Sequence, residues 1–327
     1  MPGTSTNQTQ GLGGPTRGAI WSVLSALCFS TAAVVGKDLL GSLGMYSLLF
    51  WRFAIGSIVL GGGVMVWHRH GGPDLFAVPK RRALAVGVLY GVMVITGFFA
   101  IREMDVSVYI VIVYVYPVLV MVASSLLGHR VSPMMWVALA VVMSGIVLTV
   151  PELFGGGVGH ISGLGVVLTI TQSFLMAAYM IIGSRVLPHG IDGVVTATWM
   201  VFGAFVASVP LLLIDGLAVP RSASLILEIL LFGLIPTVCS NVCFFFALRR
   251  LSPAVVAMIM TMEVAFAILW SVTFLGETMR PVKLLGAAVV VAGVLVAQWV
   301  ALRNARADGA ADGVDDTDAA LKSPLAV

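Results

Sequence analysis

Charged residues are scarce in this chain of 327 residues: Asp, Glu, Lys and Arg make up 10% of it, and 59% of the residues are hydrophobic. The mean hydropathy is +1.06. This composition is far more apolar than one soluble core requires, and it is typical of a chain that crosses a membrane several times. No basic stretch with interleaved aromatic residues is present, so the sequence predicts no nucleic-acid partner.

Cysteine and histidine are also few. The three cysteines, Cys28, Cys239 and Cys243, fall in apolar runs, and the five histidines lie between those runs without the spacing of metal ligands. These positions exclude a secreted disulfide framework and predict no metal site. No glycine-rich loop that would cradle a phosphate is present either, so we expect no cofactor and no catalytic residue.

Long apolar runs are abundant. A helix needs about 20 apolar residues to cross the hydrocarbon core, and ten such segments are predicted: residues 18 to 37, 45 to 67, 83 to 101, 105 to 127, 132 to 151, 162 to 184, 193 to 214, 224 to 246, 253 to 275 and 281 to 301. Residues 1 to 17 and the acidic residues 303 to 327 cannot bury enough apolar surface to fold alone, so both are predicted to be disordered tails.

The distribution of Lys and Arg predicts the orientation. With the N-terminus inside the cell, twelve of these residues fall in cytoplasmic loops and five fall outside. Because cytoplasmic loops carry the excess of positive charge, both termini are predicted to be cytoplasmic. The expected location is the inner (cytoplasmic) membrane.

The two halves of the chain resemble each other in sequence. The run Phe98 to Ala100 matches Phe245 to Ala247 at an offset of 147 residues, and Gly145 matches Gly293 at an offset of 148. This ordered register predicts two repeats of five helices, at residues 18 to 151 and 162 to 302. Since five is odd, the second repeat enters the membrane from the opposite side. The expected fold is an all-α polytopic membrane protein with ten transmembrane helices as two inverted five-helix repeats, an arrangement that typically encloses a site open alternately to either side.

Several motifs resemble those of a known family. The segments "LLFWRFAIG" around Arg52, "VYVYPVLV" around Pro117 and "MEVAFAILWSVTFLGE" from Met262 are similar to the drug/metabolite transporter superfamily, in its EamA-like branch. The resemblance covers about residues 18 to 302. It implies a ten-helix carrier that exports amino acids or other small metabolites.

The resemblance also implies roles for particular residues. Glu263 matches an acid that often precedes a proline in the ninth helix of the family, and Leu275 to Glu277 match its helix-end motif "LGE". Val264 stands where the proline is usual, which argues against a kinked ninth helix. His129 and Arg130 stand where the first repeat would carry the acid of that motif, so we expect no symmetrical role for two helix-end acids.

Two charged residues fall inside predicted spans. Glu263 lies near the middle of its span, where a carboxylate costs about 2.5 to 3.5 kcal/mol. It is expected either to carry a proton or bind a cationic group, or to hold helices together through hydrogen bonds. Arg52 lies about seven residues into the second span and is expected either to snorkel to the outer surface or to face a cavity as an anion ligand or a partner of Glu263.

Uncharged polar residues complete the candidate site. Tyr109 and Tyr116 are seven residues apart, so a continuous helix would place them on one face. Gln172 and Asn241 lie near mid-depth in their spans. Such side chains either bind a small amphipathic substrate or form ordinary packing and hydrogen bonds between helices.

The sequence therefore predicts a secondary transporter that moves small organic metabolites or amino acids by alternating access. It is expected to be an exporter, with proton coupling through Glu263 as a hypothesis, and to be a monomer or a homodimer. The alternative is an integral membrane enzyme that acts on lipid-linked substrates.

Overall fold

The computed structural model describes residues 13–76, 78–128, 131–151, 161–186, 192–275 and 281–321. Within these ranges every regular element is a helix. The α-helices are α1 (Gly13–Arg69), α2 (Lys80–Glu103), α3 (Val106–Val113), α4 (Tyr116–Leu126), α5 (Pro133–Leu148), α6 (Gly163–Val186), α7 (Gly193–Ser208), α8 (Leu212–Asp215), α9 (Ala223–Gly233), α10 (Ser240–Leu248), α11 (Pro253–Met260), α12 (Met262–Leu275) and α13 (Pro281–Leu321). A 3-10 turn (Val209–Leu211) joins α7 to α8, and a π-helix (Leu234–Cys239) joins α9 to α10.

Eight helical segments in the described residues are long and apolar enough to cross a membrane. They are Leu39–Arg69, Lys80–Glu103, Val108–Leu126, Gly163–Arg185, Gly193–Asp215, Ala223–Leu248, Pro253–Phe274 and Pro281–Arg303. The chain is therefore a polytopic membrane protein. The first and fifth predicted spans are helical as well, within α1 and as the 16-residue α5, but they are not among the eight.

A glycine separates the first two predicted spans. Gly44 lies inside α1 with φ of +72°, which is not a helical conformation. A side chain is strongly disfavoured at this φ, whereas glycine adopts it readily. Gly44 therefore divides α1 into a first limb, residues 13–43, and a second limb, residues 45–69.

Two other helical segments are interrupted at equivalent points of the two halves. Tyr114 and Val115 separate α3 from α4, and Thr261 separates α11 from α12. Tyr114 and Thr261 are 147 residues apart, which is the offset of the sequence repeat. The interruption at Thr261 is a local one, because this residue keeps helical dihedral angles (φ −63°, ψ −16°). The interruption at Tyr114 and Val115 falls between Tyr109 and Tyr116, which were expected in one continuous helix.

Small residues bring α5 and α13 close together in a reciprocal way. A Cβ on Gly145 would lie 2.7 Å from the backbone nitrogen of Val290, and a Cβ on Gly293 would lie 2.7 Å from a methyl of Val142. Residues 142 and 145 correspond to 290 and 293 at the offset of 148. Each half therefore offers the same surface to the other, as in an isologous contact.

The first limb of α1 packs against α9, the π-helix and α10 in the antiparallel direction. As residue numbers rise along α1, they fall along the partner: Gly18 lies against Leu251, the Ser25 hydroxyl donates to the Ser240 carbonyl at 2.9 Å, and Gly36 lies against Phe232. This register places Cys28 opposite Cys239, and the two thiols are within electrostatic range of each other.

The last helix, α13, continues past residue 303 to Leu321. The sequence predicts a disordered tail over this stretch, whereas the structure gives helical backbone there. Disorder of residues 303 to 327 and of residues 1 to 17 stays a prediction.

Candidate functional site

The break between α11 and α12 positions Glu263. Glu263 lies in the first turn of α12, two residues after Thr261. Its carboxyl is desolvated by the surrounding helices, while the residue as a whole is half-buried. Glu263 is therefore an acid enclosed among helices in the middle of a membrane-spanning segment.

Three tyrosines, Tyr109, Tyr114 and Tyr116, lie within electrostatic range of this carboxyl. The Tyr109 hydroxyl also interacts with the side-chain amide of Gln172. We call Glu263, Tyr109, Tyr114, Tyr116 and Gln172 the glutamate cluster. Its members come from α3, α4, α6 and α12 and, for Tyr114, from the break between α3 and α4.

The two helix breaks meet at Tyr116. The amide of Thr261 donates to the Met258 carbonyl at 3.2 Å, one residue short of the α-helical partner, which frees the carbonyl of Ala257. The Tyr116 hydroxyl donates to that carbonyl at 3.3 Å. Buried carbonyls need a hydrogen-bond donor. The Tyr116 hydroxyl supplies that donor to the backbone of α11.

The interruption between α3 and α4 is likewise approached by a polar side chain, which comes from α6. Pro117 has no N–H to offer to the carbonyl of Val113. The Ser173 hydroxyl lies 3.2 Å from the Val113 carbonyl, 3.3 Å from the Ile112 carbonyl and 2.9 Å from the Thr169 carbonyl of its own helix. It has one proton, so it donates to one of these carbonyls at a time. A polar side chain of the neighbouring helix thus lies within reach of the backbone that proline leaves open.

Arg52 is buried between the second limb of α1 and the π-helix. Its Nε donates to Thr237 Oγ1 at 2.8 Å, and its Nη2 donates to the Pro236 carbonyl at 3.3 Å. The rings of Phe53 and Phe232 lie 5.6 and 5.1 Å from the guanidinium carbon, at cation–π distances. Only 3% of the residue is exposed. The guanidinium is therefore held inside the protein, and the expectation that it snorkels to the outer surface is wrong.

Asn241 links this arginine site to two tyrosines. Its amide nitrogen donates to the Thr237 carbonyl at 2.7 Å and to the Tyr90 hydroxyl at 3.2 Å, and the Tyr179 hydroxyl donates to its amide oxygen at 3.5 Å. Tyr90 and Tyr179 stack with ring centroids 5.1 Å apart. We call Arg52, Thr237, Asn241, Tyr90 and Tyr179 the arginine cluster.

The two clusters adjoin each other. Arg52 lies within electrostatic range of Glu263, although the two side chains form no direct ion pair. Arg52 and Glu263 are therefore electrostatic neighbours that are not in direct contact.

The six residues predicted as a substrate site thus fall into two adjoining groups. Glu263, Tyr109, Tyr116 and Gln172 are in the glutamate cluster, and Arg52 and Asn241 are in the arginine cluster. Substrate binding by any of them stays a prediction. The sequence motif residues His129, Arg130 and Glu277 lie outside the described residues.

Three members of the arginine cluster were missed from sequence. Thr237 follows Pro236, and Tyr90 and Tyr179 are each a single polar tip in an apolar run. The signal that could have found Thr237 is its position beside a proline, where freed backbone collects polar partners. The tyrosines carry no such signal, because their partners come from distant segments.

The fold and the two clusters define a class of protein. Charged side chains deep within a polytopic bundle, beside interrupted helices, are typical of membrane transporters. The sequence matches the EamA-like transporter family over residues 16–150 and again over residues 163–298. The chain belongs to this family and contains two copies of its repeat. It is a multi-pass membrane protein with a transporter fold, which implies a small-molecule substrate and a lipid surrounding.

Curated relatives agree with this assignment. The chain is 25% identical over 283 residues to the threonine/homoserine exporter RhtA of Escherichia coli K12, and equally to those of strains CFT073 and O157:H7, covering 84% of this chain and 90% of each relative. One solved structure, described only as the crystal structure of a protein, superposes with a TM-score of 0.72 at 17% identity over 88% of this chain and 98% of its own. This likeness supports the fold. The family and these relatives are transporters and not enzymes.

Proposed function

We propose that the protein is a secondary transporter that exports small organic metabolites or amino acids by alternating access. The observation that carries the proposal is the desolvated Glu263 carboxyl at a helix break, within electrostatic range of Arg52 and of three tyrosines from the other half of the chain. Amino acids come into the proposal through the relatives, which are named as exporters of threonine and homoserine.

The proposal includes ten spans arranged as two inverted repeats. The reciprocal contact of Gly145 with Val290 and of Gly293 with Val142 supports it, and so does the equivalence of the breaks at Tyr114 and Thr261. The contact of α2 with α6 also has its counterpart in the contact of α10 with α1. Two halves related in this way have two equivalent ways of rocking against each other, which is the basis of alternating access.

Proton coupling through Glu263 is part of the proposal. Glu263 has no direct ion-pair partner, and we infer that it exchanges a proton with water that enters between the two halves during transport. Arg52 lies within electrostatic range of this carboxyl and is its charged neighbour. An exporter coupled in this way moves substrate out of the cell as protons move in.

The proposal also places the protein in the inner membrane with both termini in the cytoplasm. The distribution of Lys and Arg between the loops supports this orientation. For the quaternary state we propose a monomer or a homodimer. Reaction of single cysteines placed in the tails with an impermeant thiol reagent, in whole cells and in lysates, tests the location of the termini.

The function is tested by flux measurements on proteoliposomes. Radiolabelled threonine or homoserine is loaded on one side, and a proton gradient is imposed in the opposite direction. The wild-type protein is expected to move the substrate faster with the gradient than without it. Glu263→Gln is expected to abolish the acceleration, while Asp105→Asn, an exposed acid before α3, is expected to behave as wild type.

Two results contradict the proposal. Equal gradient dependence in wild type and Glu263→Gln removes Glu263 from proton coupling. If the protein causes no flux of threonine, homoserine or any other amino acid or small metabolite tested, the proposed substrate class is wrong.

A further inference from the structure

Gln172 carries an unexplained polar atom. Among the buried side-chain nitrogen and oxygen atoms of the described residues, two have no hydrogen-bond partner, Ser57 Oγ and Gln172 Oε1. Gln172 is only 8% exposed. A buried acceptor left without a donor costs about 1 to 3 kcal/mol, so such an atom in a folded protein calls for a missing partner.

The position of Gln172 indicates where that partner lies. Tyr109 interacts both with the side-chain amide of Gln172 and, electrostatically, with Glu263. The Gln172 amide also packs against Gly97 of α2, where a Cβ would collide with it. Gln172 therefore lies between α2 and α3, and its unpartnered carbonyl oxygen belongs to the same cluster as the Glu263 carboxyl.

We propose that Gln172 Oε1 and the Glu263 carboxylate together bind the protonated amine of the transported molecule, and that they select a primary ammonium group. This inference rests on the proposed transport function. A primary ammonium offers three N–H donors, which match one amide oxygen and one carboxylate. The phenol rings of Tyr109 and Tyr114 lie beside Glu263 and add a favourable surface for a cation.

The state of Arg52 sharpens the substrate class. Its guanidinium already donates to Thr237 and Pro236, packs between two rings and is 3% exposed, so it is not presented to a ligand in this structure. The Arg52 guanidinium is thus not available to bind a carboxylate of the ligand. The site recognises the amine end of a molecule, and small primary amines without a carboxylate are ligands as well.

A quaternary ammonium ligand distinguishes binding through hydrogen bonds from binding by aromatic rings alone. Ethanolamine and choline differ only in the three methyl groups on nitrogen, which remove every N–H donor. If hydrogen bonds to Gln172 and Glu263 decide binding, ethanolamine binds and choline does not. If the rings alone decide it, choline binds at least as well, because cation–π contacts need no donor.

The experiment measures binding of ethanolamine and choline to the purified full-length protein in detergent by isothermal titration calorimetry. Wild type is expected to bind ethanolamine at least about tenfold more tightly than choline, the range expected for a hydrogen bond to a charged group. Gln172→Met, nearly the same size without the acceptor, is expected to lose about tenfold in ethanolamine affinity by the same bond.

Two further variants separate binding from folding. Gly97→Ala favours the helix and displaces the Gln172 amide without deleting it, so it is expected to weaken ethanolamine binding in a protein that remains folded. Thr171→Val is the matched control, since Thr171 is the exposed neighbour of Gln172 and bonds only its own helix. It is expected to bind both amines as wild type does.

Choline binding equal to or tighter than ethanolamine overturns the inference, and so does wild-type ethanolamine affinity in both Gln172→Met and Gly97→Ala. The failure of this inference is distinct from failure of the proposed function. Transport is judged by threonine or homoserine flux, whereas this inference is judged by the choice between two amines and by Gln172.

Discussion

Replacement of Thr237 by valine tests the interior of the arginine cluster with almost no change in volume. Thr237 is fully buried, and its Oγ1 accepts the hydrogen bond of Arg52 Nε at 2.8 Å. Valine removes that acceptor and leaves the charged Nε–H without its partner. The hydroxyl also donates to the Phe232 carbonyl at 3.4 Å, a long bond that contributes less.

The magnitude follows from the charge. Hydrogen bonds between neutral side chains inside membrane proteins contribute about 0.6 kcal/mol on average, whereas a bond to a charged group contributes about 1.5 to 3 kcal/mol. Thr237→Val is therefore expected to lower the free energy of unfolding by about 1.5 to 3 kcal/mol. Thr237→Ser, which keeps the hydroxyl, is expected to lose less than the valine variant.

The assay is reversible unfolding of the purified protein by SDS in mixed micelles, followed by circular dichroism. Thr96→Val is the matched control, because Thr96 is only half-buried and its hydroxyl bonds only the Val92 carbonyl of its own helix. It is expected to change the free energy by less than about 0.5 kcal/mol. In an Arg52→Met background the effect of Thr237→Val is expected to shrink, since the charged donor is gone. A loss no larger than that of Thr96→Val, or an unchanged loss in the Arg52→Met background, refutes the reasoning.

The contacts between the two halves give two further predictions. Gly145→Ala places a methyl group against the backbone of Val290 and is expected to lower the free energy of unfolding by about 1 to 3 kcal/mol. Gly61→Ala is the control, because nothing lies within 4 Å of a Cβ at that position. Equal stability of the two variants in the same SDS titration contradicts the packing of α5 on α13. The antiparallel register places Cys28 opposite Cys239, so a short bifunctional maleimide is expected to join α1 to the π-helix segment. Mass spectrometry of the cross-linked peptide checks this, and loss of the product in Cys239→Ser but not in Cys243→Ser confirms the pair.

Much of the fold followed from sequence because it depends on local composition. Apolar runs long enough to cross the bilayer mark eight segments that the structure also has, and the repeat offset of 147 or 148 residues located both the equivalent helix breaks and the reciprocal contact of α5 with α13. The interruption at Thr261 was not predicted, since Val264 stands where the family usually has a proline. The structure shows instead that the amide of Thr261 shifts its hydrogen bond to Met258, and no proline is needed for that.

The site was less predictable because its residues meet through tertiary structure. Glu263 and Arg52 stand out in sequence as charges inside apolar spans, and both are central to their clusters. Their surroundings did not follow: Tyr116 was expected either to bind a substrate with Tyr109 or to pack between helices, and its hydroxyl donates to the Ala257 carbonyl. No periodicity within one helix reveals a bond to a backbone group that a break in another helix sets free.

The breaks and the buried polar residues have a common physical cause. An interrupted helix inside a membrane leaves carbonyls without donors, and each must be satisfied by protein because no water is available in the hydrocarbon core. Ser173 and Tyr116 serve the breaks in α3–α4 and α11–α12, and Arg52 serves the Pro236 carbonyl of the π-helix. These donors are therefore committed to structure. Among the buried side-chain atoms of the described residues, Ser57 Oγ and Gln172 Oε1 have no such commitment. Gln172 Oε1 lies in the cluster of Glu263, which is why these two groups are proposed as the ligand site.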